Sequence, residues 1–191
     1  MNTKERILTS AKELFSTRGY HKTTVDEIAK HVGLSKGALY FYFKSKEDVM
    51  KDLIQGMAER TLSIMQRWSE KEVNAEEAIK GHIREFLREC YQDRYIAYIF
   101  LFELLCLEEF RKIYFENMQK IKNLLSQMVK RGYERGEFAF GSVESVVNLI
   151  MGYTKVVYIE LLLLGDLPLE EVIRRVEEGL ETIFRGVRCA G

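Results

Sequence analysis

A single proline, Pro168, stands in a chain of 191 residues, and this scarcity of helix breakers is the strongest constraint on the fold. Proline removes a backbone donor and interrupts helices, whereas sheet proteins use proline and glycine to punctuate many turns. Apolar residues also recur at helical spacing through most of the chain. The sequence therefore predicts an all-α protein of about nine helices, with residues 1–46 as one domain and residues 47–191 as a second, larger domain.

Charge is distributed unevenly, although 29 Lys and Arg balance 29 Asp and Glu. Residues 1–50 contain nine basic and six acidic side chains, a net charge of +3, and the rest of the chain carries −3. This polarity indicates that the N-terminal part faces an anion.

Several classes of protein do not fit the sequence. The N-terminus lacks the apolar core of a signal peptide, and the most apolar stretches, 97–107 and 156–164, are too short to span a membrane. Cys90, Cys106 and Cys189 lack the number and spacing of a disulfide framework or a zinc site. No nucleophile–base set, HExxH motif or paired catalytic carboxylates stand out. We therefore expect a cytoplasmic protein without enzyme activity, metal or cofactor.

Two short helices are predicted after an amphipathic first helix. Thr24 caps the first of them and Gly33 ends it. Ser35 caps the second after a short turn. This spacing is that of a helix-turn-helix.

The second short helix carries four consecutive aromatic residues, Tyr40–Phe43, more than one helix face can bury. Leu39 and Phe43 share a face and are expected to point inward. Tyr40 and Tyr42 then lie partly outside, where their hydroxyls can donate to phosphate oxygens. Further groups nearby are suited to phosphate: Ser35, Lys36, Lys44 and Lys46.

One motif covers both helices and the turns around them: Thr24-Val25-Asp26-Glu27-Ile28-Ala29, then Gly33-Leu34-Ser35-Lys36-Gly37-Ala38-Leu39-Tyr40-Phe41-Tyr42-Phe43-Lys44-Ser45-Lys46-Glu47. It resembles the N-terminal signature of the TetR family of transcriptional regulators, over roughly residues 5–50. The resemblance implies an all-α homodimer whose third helix enters the major groove of a palindromic operator. It also implies a ligand cavity in the larger C-terminal domain.

The resemblance carries DNA contacts to individual positions. It implies phosphate contacts from Thr24, Ser35, Tyr40, Tyr42 and Lys46. It implies base-edge contacts from Lys36, Gly37 and Ala38. The common family pattern has two tyrosines and then a histidine, where this chain has Tyr40, Phe41 and Tyr42. The proposed DNA contact of Phe41 is therefore apolar, with a thymine methyl group.

The C-terminal part is predicted as a helical body. Its helices are expected at residues 46–72, 75–90, 95–107, 115–134, 143–164 and 169–187. The helix at 95–107 is apolar on nearly every face and is therefore expected to be buried.

The last two helices carry more apolar surface than one small body covers, which predicts a subunit interface. We expect a four-helix bundle made by these two helices from each of two subunits. The residues predicted at this interface are Val157, Leu161, Leu169, Val172, Val176, Leu180 and Ile183.

Methionine and aromatic residues in the body suit an adaptable apolar chamber. The predicted lining is Met65, Trp68, Tyr91, Tyr95, Tyr98, Phe102, Met118, Met151, Tyr153 and Tyr158, with Asn148, His82 or Glu103 as orienting polar groups. Ordinary core packing is the alternative for each of these residues.

The sequence thus favours a regulator, expected to act as a repressor, that a flat or elongated hydrophobic effector releases from its operator. The alternative is a DNA-binding dimer without small-molecule control, acting architecturally or through a protein partner.

Overall fold

The computed structural model describes residues 2–160, 165 and 167–187, and every regular element in that part of the chain is a helix. In chain order they are α1 (Thr3–Arg18), α2 (Val25–Val32), α3 (Lys36–Tyr42), α4 (Lys46–Ser69), α5 (Ala75–Tyr91), α6 (Arg94–Tyr98), a π-helix (Ile99–Leu104), α7 (Glu108–Glu134), α8 (Val143–Val157) and α9 (Leu169–Arg185). For these residues the prediction of an all-α fold with about nine helices is confirmed.

Side-chain caps set where the N-terminal helices begin. At α1, the Glu5 backbone N–H donates to Asn2 Oδ1 and the Asn2 N–H donates to the Glu5 carboxylate, both at 2.9 Å. Thr24 and Glu27 form the same reciprocal arrangement at α2. Each pair satisfies backbone N–H groups that have no partner within the helix. Local sequence therefore determines these two boundaries.

One compact unit combines the N-terminal stretch to Ala58 with Tyr95–Ile113. Its core joins apolar side chains of α1–α4 to those of α6, the π-helix and the start of α7, including Ile7, Phe15, Ile28, Leu39, Met50, Ile96, Ile99, Leu104 and Phe110. The compact unit thus extends beyond residue 46. The division into residues 1–46 and 47–191 stays a prediction.

The second compact unit consists of Glu59–Arg94 and the chain from Tyr114 onward. In this unit α9 packs against both α5 and α8. The apolar stripe of α9 is buried in that packing, with side chains at 1% exposure or less: Val172, Val176, Leu180 and Phe184. The amphipathic pattern of α9 is therefore satisfied inside the protomer.

Ion pairs align α5 with α9. Lys80 Nζ lies 2.5 Å from Glu181 Oε2, and Arg84 Nε lies 2.6 Å from Glu177 Oε1. Residue numbers rise along α5 as they fall along α9, so the two helices run antiparallel.

The prediction of one buried helix at 95–107 is wrong. The chain forms the short α6 and then the π-helix, and Tyr95, Tyr98 and Phe102 are 50%, 38% and 49% exposed. Only one side of the segment is covered: Ile96, Ile99 and Leu104 are buried in the core with α1–α4, and the other side is exposed in the protomer.

Two further helices differ from their predicted bounds. α7 begins at Glu108 rather than at residue 115, and Glu108 and Glu109 supply the acidic first turn that a helix N-terminus favours. α8 ends at Val157, and residues 161–164 of the predicted helix lie outside the described residues.

Candidate nucleic-acid interface

α2 and α3 form a tight helix-turn-helix. α2 ends at Gly33, whose φ of 76° lies in the left-handed region that favours glycine. The Leu34 N–H donates to the Ala29 carbonyl at 2.9 Å and closes the turn. Ser35 then caps α3 by accepting a hydrogen bond from the Ala38 N–H at 3.2 Å. Three residues therefore carry the chain from one helix into the next.

α3 has one buried face and one exposed face. Leu39 is fully buried, which confirms its predicted inward position. At 100° per residue, Gly37 and Phe41 lie on the face opposite Leu39. Phe41 is 84% exposed, and Tyr40 and Tyr42 on either side are 41% and 40% exposed. The outer face of α3 is thus open along its length.

Two basic side chains at this motif already have partners in the protein. Lys36 Nζ lies 2.8 Å from Asp26 Oδ2, and the hydrogen bond to that carboxylate raises the pKa of Lys36. Its ammonium also lies 5.8 Å from the centroid of the Tyr40 ring. Lys46 Nζ donates to the Tyr20 carbonyl at 2.8 Å and lies 4.3 Å from the centroid of that ring. Lys46 therefore also ties α4 to the loop before α2.

The nine residues predicted to contact DNA all lie on the helix-turn-helix or at the start of α4. Ala38 and Lys46 are partly buried, and seven are exposed: Thr24, Ser35, Lys36, Gly37, Tyr40, Phe41 and Tyr42. The Thr24 hydroxyl already donates to Glu27 at 3.0 Å, so a phosphate would have to compete with that carboxylate for its proton. The contacts themselves stay predictions.

Sequence reasoning missed two ion pairs that join the loop before α2 and helix α4 to residues 95–113. His21 Nε2 lies 3.1 Å from Glu103 on the π-helix, and Lys51 Nζ lies 2.6 Å from Glu109. Glu103, one of the three groups expected to orient a ligand, faces His21 in the protomer, and its ligand role stays a prediction. Glu103 interrupts an otherwise apolar run, and this interruption was the available signal.

The residues predicted to line a pocket divide between the two units. In the first unit Tyr95, Tyr98 and Phe102 are too exposed to line an enclosed pocket in the protomer. In the second unit Asn148 is exposed on α8, and its place in a pocket stays a prediction. The others in the second unit are buried or half-buried: Met65, Trp68, His82, Tyr91, Met118, Met151, Tyr153 and Tyr158.

Trp68 has a defined part in the packing of α4 on α5. Its indole N–H donates to Glu85 at 2.7 Å, and a Cβ at Gly81 would lie 2.3 Å from its ring. Glycine is therefore required at that point of α5. A ligand contact of Trp68 stays a prediction.

The predicted subunit interface stays a prediction, and four of its residues are already buried within the protomer: Val157, Val172, Val176 and Leu180. Val172, Val176 and Leu180 are covered by the packing of α9 on α5 and α8, and Val157 is buried at the end of α8. Leu169 and Ile183 are half-buried, and Leu161 lies outside the described residues.

A different apolar face is exposed on α8. Leu149 and Val156 are 57% and 52% exposed, and they lie two turns apart on one side of the helix. Gly152 lies between them, and no atom comes within 4 Å of a Cβ built there. The apolar residues of this face are visible in the sequence, but the longer apolar stripe of α9 gave the stronger signal for a subunit interface.

Within the described residues, no helix is long and apolar enough to cross a membrane. The same part of the chain contains no group of three or more His, Cys, Asp and Glu side chains that could hold a metal ion. Cys90 is a buried free thiol and Cys106 an exposed one.

A helix-turn-helix with an open recognition face, followed by a helical body, defines the class of helical DNA-binding transcriptional regulators. Residues 7–53 match the family model described as bacterial regulatory proteins of the tetR family. Residues 77–183, more than half of the chain, match the tetracyclin repressor-like C-terminal domain. The chain therefore belongs to the TetR family of transcriptional regulators.

Individual relatives agree with this assignment. The chain is 27% identical over 158 residues to IcaR, a negative transcriptional regulator of a biofilm operon in Staphylococcus aureus, covering 82% of this chain and 83% of IcaR. A transcriptional regulator from Aquifex aeolicus superposes with a TM-score of 0.79 at 34% identity, covering 95% of this chain and 99% of that one. FadR from Bacillus subtilis in complex with stearoyl-CoA superposes with a TM-score of 0.81 at 23% identity, covering 95% and 98% of the two chains, and shows a shared fold.

Proposed function

We propose that the protein is a cytoplasmic repressor that binds a palindromic operator as a homodimer and leaves it when a small, largely hydrophobic effector binds. The observation that carries this proposal is the open outer face of α3. Gly37 leaves the helix backbone accessible, and Phe41 projects one turn later with 84% exposure. The major groove, about 12 Å wide, admits a helix that presents such a face.

We expect a homodimer because α3, the helix proposed to enter the major groove, is short. One seven-residue helix contacts too few base pairs to select an operator, whereas two helices about 34–36 Å apart read both halves of a palindrome. The exposed face of Leu149, Gly152 and Val156 on α8 is our choice for the subunit contact, because exposed apolar side chains flank a glycine that lets a second helix approach closely.

The relatives support the regulatory part of the proposal. IcaR is named as a negative regulator, and B. subtilis FadR was solved with stearoyl-CoA, a molecule with a long apolar chain. Residues in the second unit that suit an apolar molecule include the half-buried Met118 and Met151.

DNA binding is tested by selecting a duplex from a random pool and measuring its affinity across salt concentrations. We expect the logarithm of affinity to fall linearly with the logarithm of salt, because lysine contacts release counterions from phosphates. Tyr40→Phe should weaken all duplexes several-fold by removing one hydroxyl contact, whereas Tyr133→Phe, a matched change at an exposed tyrosine of the second unit, should have no effect. Salt-independent binding, or equal effects of the two variants, contradicts the proposal.

Effector control is tested on the same duplex with a series of apolar molecules. A molecule that raises the melting temperature of the protein should also release it from the duplex, since binding to the DNA-free form shifts the equilibrium away from the complex. If no stabilising molecule changes the DNA affinity, the protein is a DNA-binding dimer without small-molecule control.

A further inference from the structure

Lys36, the first residue of α3, directs its side chain back toward α2. Its Nζ lies 2.8 Å from Oδ2 of Asp26, which belongs to the first turn of α2. The same Nζ lies 5.8 Å from the centroid of the Tyr40 ring on α3. Two contacts, one on each helix of the helix-turn-helix, therefore define the position of the ammonium group.

This ion pair contributes little to the stability of the fold. The side chains of Lys36 and Asp26 are 62% and 57% exposed, so water screens their attraction. An acid is favoured in the first turn of a helix, but Glu27 already supplies a carboxylate in that turn and accepts a hydrogen bond from the Thr24 N–H at 2.8 Å. Stability therefore does not account for the place of the Asp26 carboxylate.

Attraction to DNA does not account for the carboxylate either. Asp26 lies two residues after Thr24 and its partner Lys36 directly follows Ser35, and both Thr24 and Ser35 are predicted to contact phosphates. A carboxylate at this point repels phosphate and cancels the charge of the lysine that would attract it. The helix-turn-helix thus has one phosphate-binding charge fewer than its lysines indicate.

Pairing with Asp26 leaves most of the hydrogen-bonding capacity of Lys36 in place. An ammonium group has three N–H donors, and Asp26 accepts from one of them, which leaves two. In the major groove only guanine presents two acceptors, O6 and N7, whereas adenine presents one acceptor beside an amino donor. Two donors on one nitrogen therefore match a guanine better than any other base.

The place of Lys36 in the motif suits a contact with a base. In a helix-turn-helix, the first residues of the recognition helix are those that contact base edges. Gly37, the next residue, has no atom within 4 Å of a Cβ built on its backbone, so the chain beside Lys36 is open to a groove.

We infer that Asp26 is a positioning residue that directs Lys36 away from the phosphates and toward a guanine of the operator half-site. This inference rests on the proposed function, because it requires an operator. Asp26 cancels the attraction of the ammonium for phosphate, and the two remaining donors bind guanine O6 and N7. Asp26 thereby lowers the affinity for DNA of any sequence and raises the discrimination in favour of the operator.

Discrimination is measured on the selected duplex, with each G·C pair of a half-site replaced in turn by A·T. The unmodified protein should bind the duplex that lacks the contacted guanine at least about tenfold more weakly. The same replacement should weaken binding by Lys36→Met or by Asp26→Asn less than about threefold, since one variant lacks the donors and the other lacks their orientation. At the same position 7-deazaguanine, which lacks the N7 acceptor, should weaken binding by the unmodified protein and not by Lys36→Met.

Salt dependence measures the release of Lys36 toward phosphate. Asp26→Asn should bind a scrambled duplex several-fold more tightly, and the slope of log affinity against log salt should steepen by about one, because the released ammonium contacts a phosphate. The matched control is Glu144→Gln, which removes an exposed carboxylate 3.1 Å from Lys122 Nζ in the second unit and changes the net charge equally. It should alter neither the slope nor the discrimination.

The melting temperature without DNA separates positioning from a structural role. Asp26→Asn should leave it almost unchanged, because the pair is exposed. If Asp26→Asn melts at a lower temperature and binds every duplex more weakly by one common factor, Asp26 only supports the fold and the inference is overturned. Full guanine discrimination in Asp26→Asn, or an unchanged salt slope, also overturns it.

The same duplexes distinguish this inference from the proposed function. If a selected duplex binds with salt-dependent affinity but no G·C replacement loses its effect in Lys36→Met, the proposed function stands and the inference fails. If no duplex binds in a salt-dependent way, the proposed function fails and the inference fails with it.

Discussion

Phe41 is the large apolar side chain with the highest exposure in the first unit, and its chemistry decides what it can read. It is 84% exposed on the outer face of α3 and packs edge-on against Tyr42, with ring centroids 5.4 Å apart. A phenyl ring has no hydroxyl to offer a phosphate oxygen. In the major groove the apolar feature of a base is the thymine methyl group. An exposed phenylalanine at this point therefore suits a thymine.

We predict that Phe41→Ala weakens binding to the selected duplex about five- to thirty-fold, which corresponds to about 1–2 kcal/mol of lost apolar contact. Replacing the contacted thymidine by deoxyuridine, which lacks only the methyl group, should weaken DNA binding by the unmodified protein. It should leave DNA binding by Phe41→Ala almost unchanged. Titrations of both duplexes with both proteins measure this coupling. Phe115→Ala, at a 59% exposed residue of the second unit, is the control. Equal sensitivity of both proteins to deoxyuridine contradicts the prediction.

His82 gives the fold a calculable dependence on pH. Burial lowers the pKa of His82 to about 4, while in the unfolded chain it titrates near its ordinary value of 6.5. The unfolded state therefore binds more protons between these values, so the stability is complete above about pH 6.5 and is lost as the pH falls toward 4.

From pH 7 to pH 5 this one group should lower the free energy of unfolding by about 2 kcal/mol. Urea unfolding at both pH values measures the change, and His82→Leu should remove this part of it. His31→Gln, at an exposed histidine, should keep it. A pH dependence identical in the unmodified protein and in His82→Leu would falsify the assignment.

At the scale of elements, the sequence could predict those boundaries that local chemistry determines. Thr24, Gly33 and Ser35 act on their immediate neighbours, and the structure places the ends of α2 and the start of α3 where they indicate. The segment 95–113 could not be predicted in the same way. Its burial depends on packing with α1–α4, which are far away in the chain, and this packing covers only one side of a segment that is apolar on nearly every face.

The apolar stripe of α9 shows a second point that the sequence pattern leaves undetermined. Its 3.6-residue period correctly indicates that one face is covered, but the period is the same whether a second subunit or the chain itself covers it. In the structure α5 and α8 cover it, and a shorter apolar face on α8 is exposed in the protomer. Among the residues predicted to contact DNA, the sequence could indicate the exposure of Tyr40 and Tyr42 but not the hydrogen bond from Lys46 to the Tyr20 carbonyl.

We predict that Leu149→Glu together with Val156→Glu converts the proposed dimer to a monomer. Both side chains are about half exposed in the protomer, so glutamates cost little there, whereas two buried unpaired charges in a subunit interface cost several kcal/mol. Sedimentation at micromolar concentration measures the outcome, with circular dichroism to verify that helix content is unchanged. Tyr133→Glu, at a 52% exposed residue of α7, should remain dimeric. A double variant that sediments as the unmodified protein does rules out this face as the contact.

In the whole molecule, the core beneath the helix-turn-helix includes side chains from outside residues 5–50, the part of the chain that resembles the family signature. Phe110 is fully buried and Ile99 is 5% exposed in the same core as Ile7, Ile28 and Leu39. The recognition helix thus depends on a segment that follows it by more than fifty residues. A change in the position of that segment would alter the core on which α3 rests, and so provides a physical path by which other parts of the protein could influence DNA binding.

The fragment of residues 1–58 should therefore lack a cooperative unfolding transition. Without Tyr95–Ile113 its core loses several large buried side chains, and a unit of this size is marginal even when its core is complete. Thermal unfolding followed by circular dichroism checks this.

In the full chain, Phe110→Ala should lower the free energy of unfolding by about 3–5 kcal/mol and weaken DNA binding, although Phe110 lies outside the helix-turn-helix. Phe115→Ala, nearby in sequence but exposed, should do neither. A sigmoidal melt of the fragment, with native affinity for the duplex in Phe110→Ala, would show that the helix-turn-helix is self-sufficient.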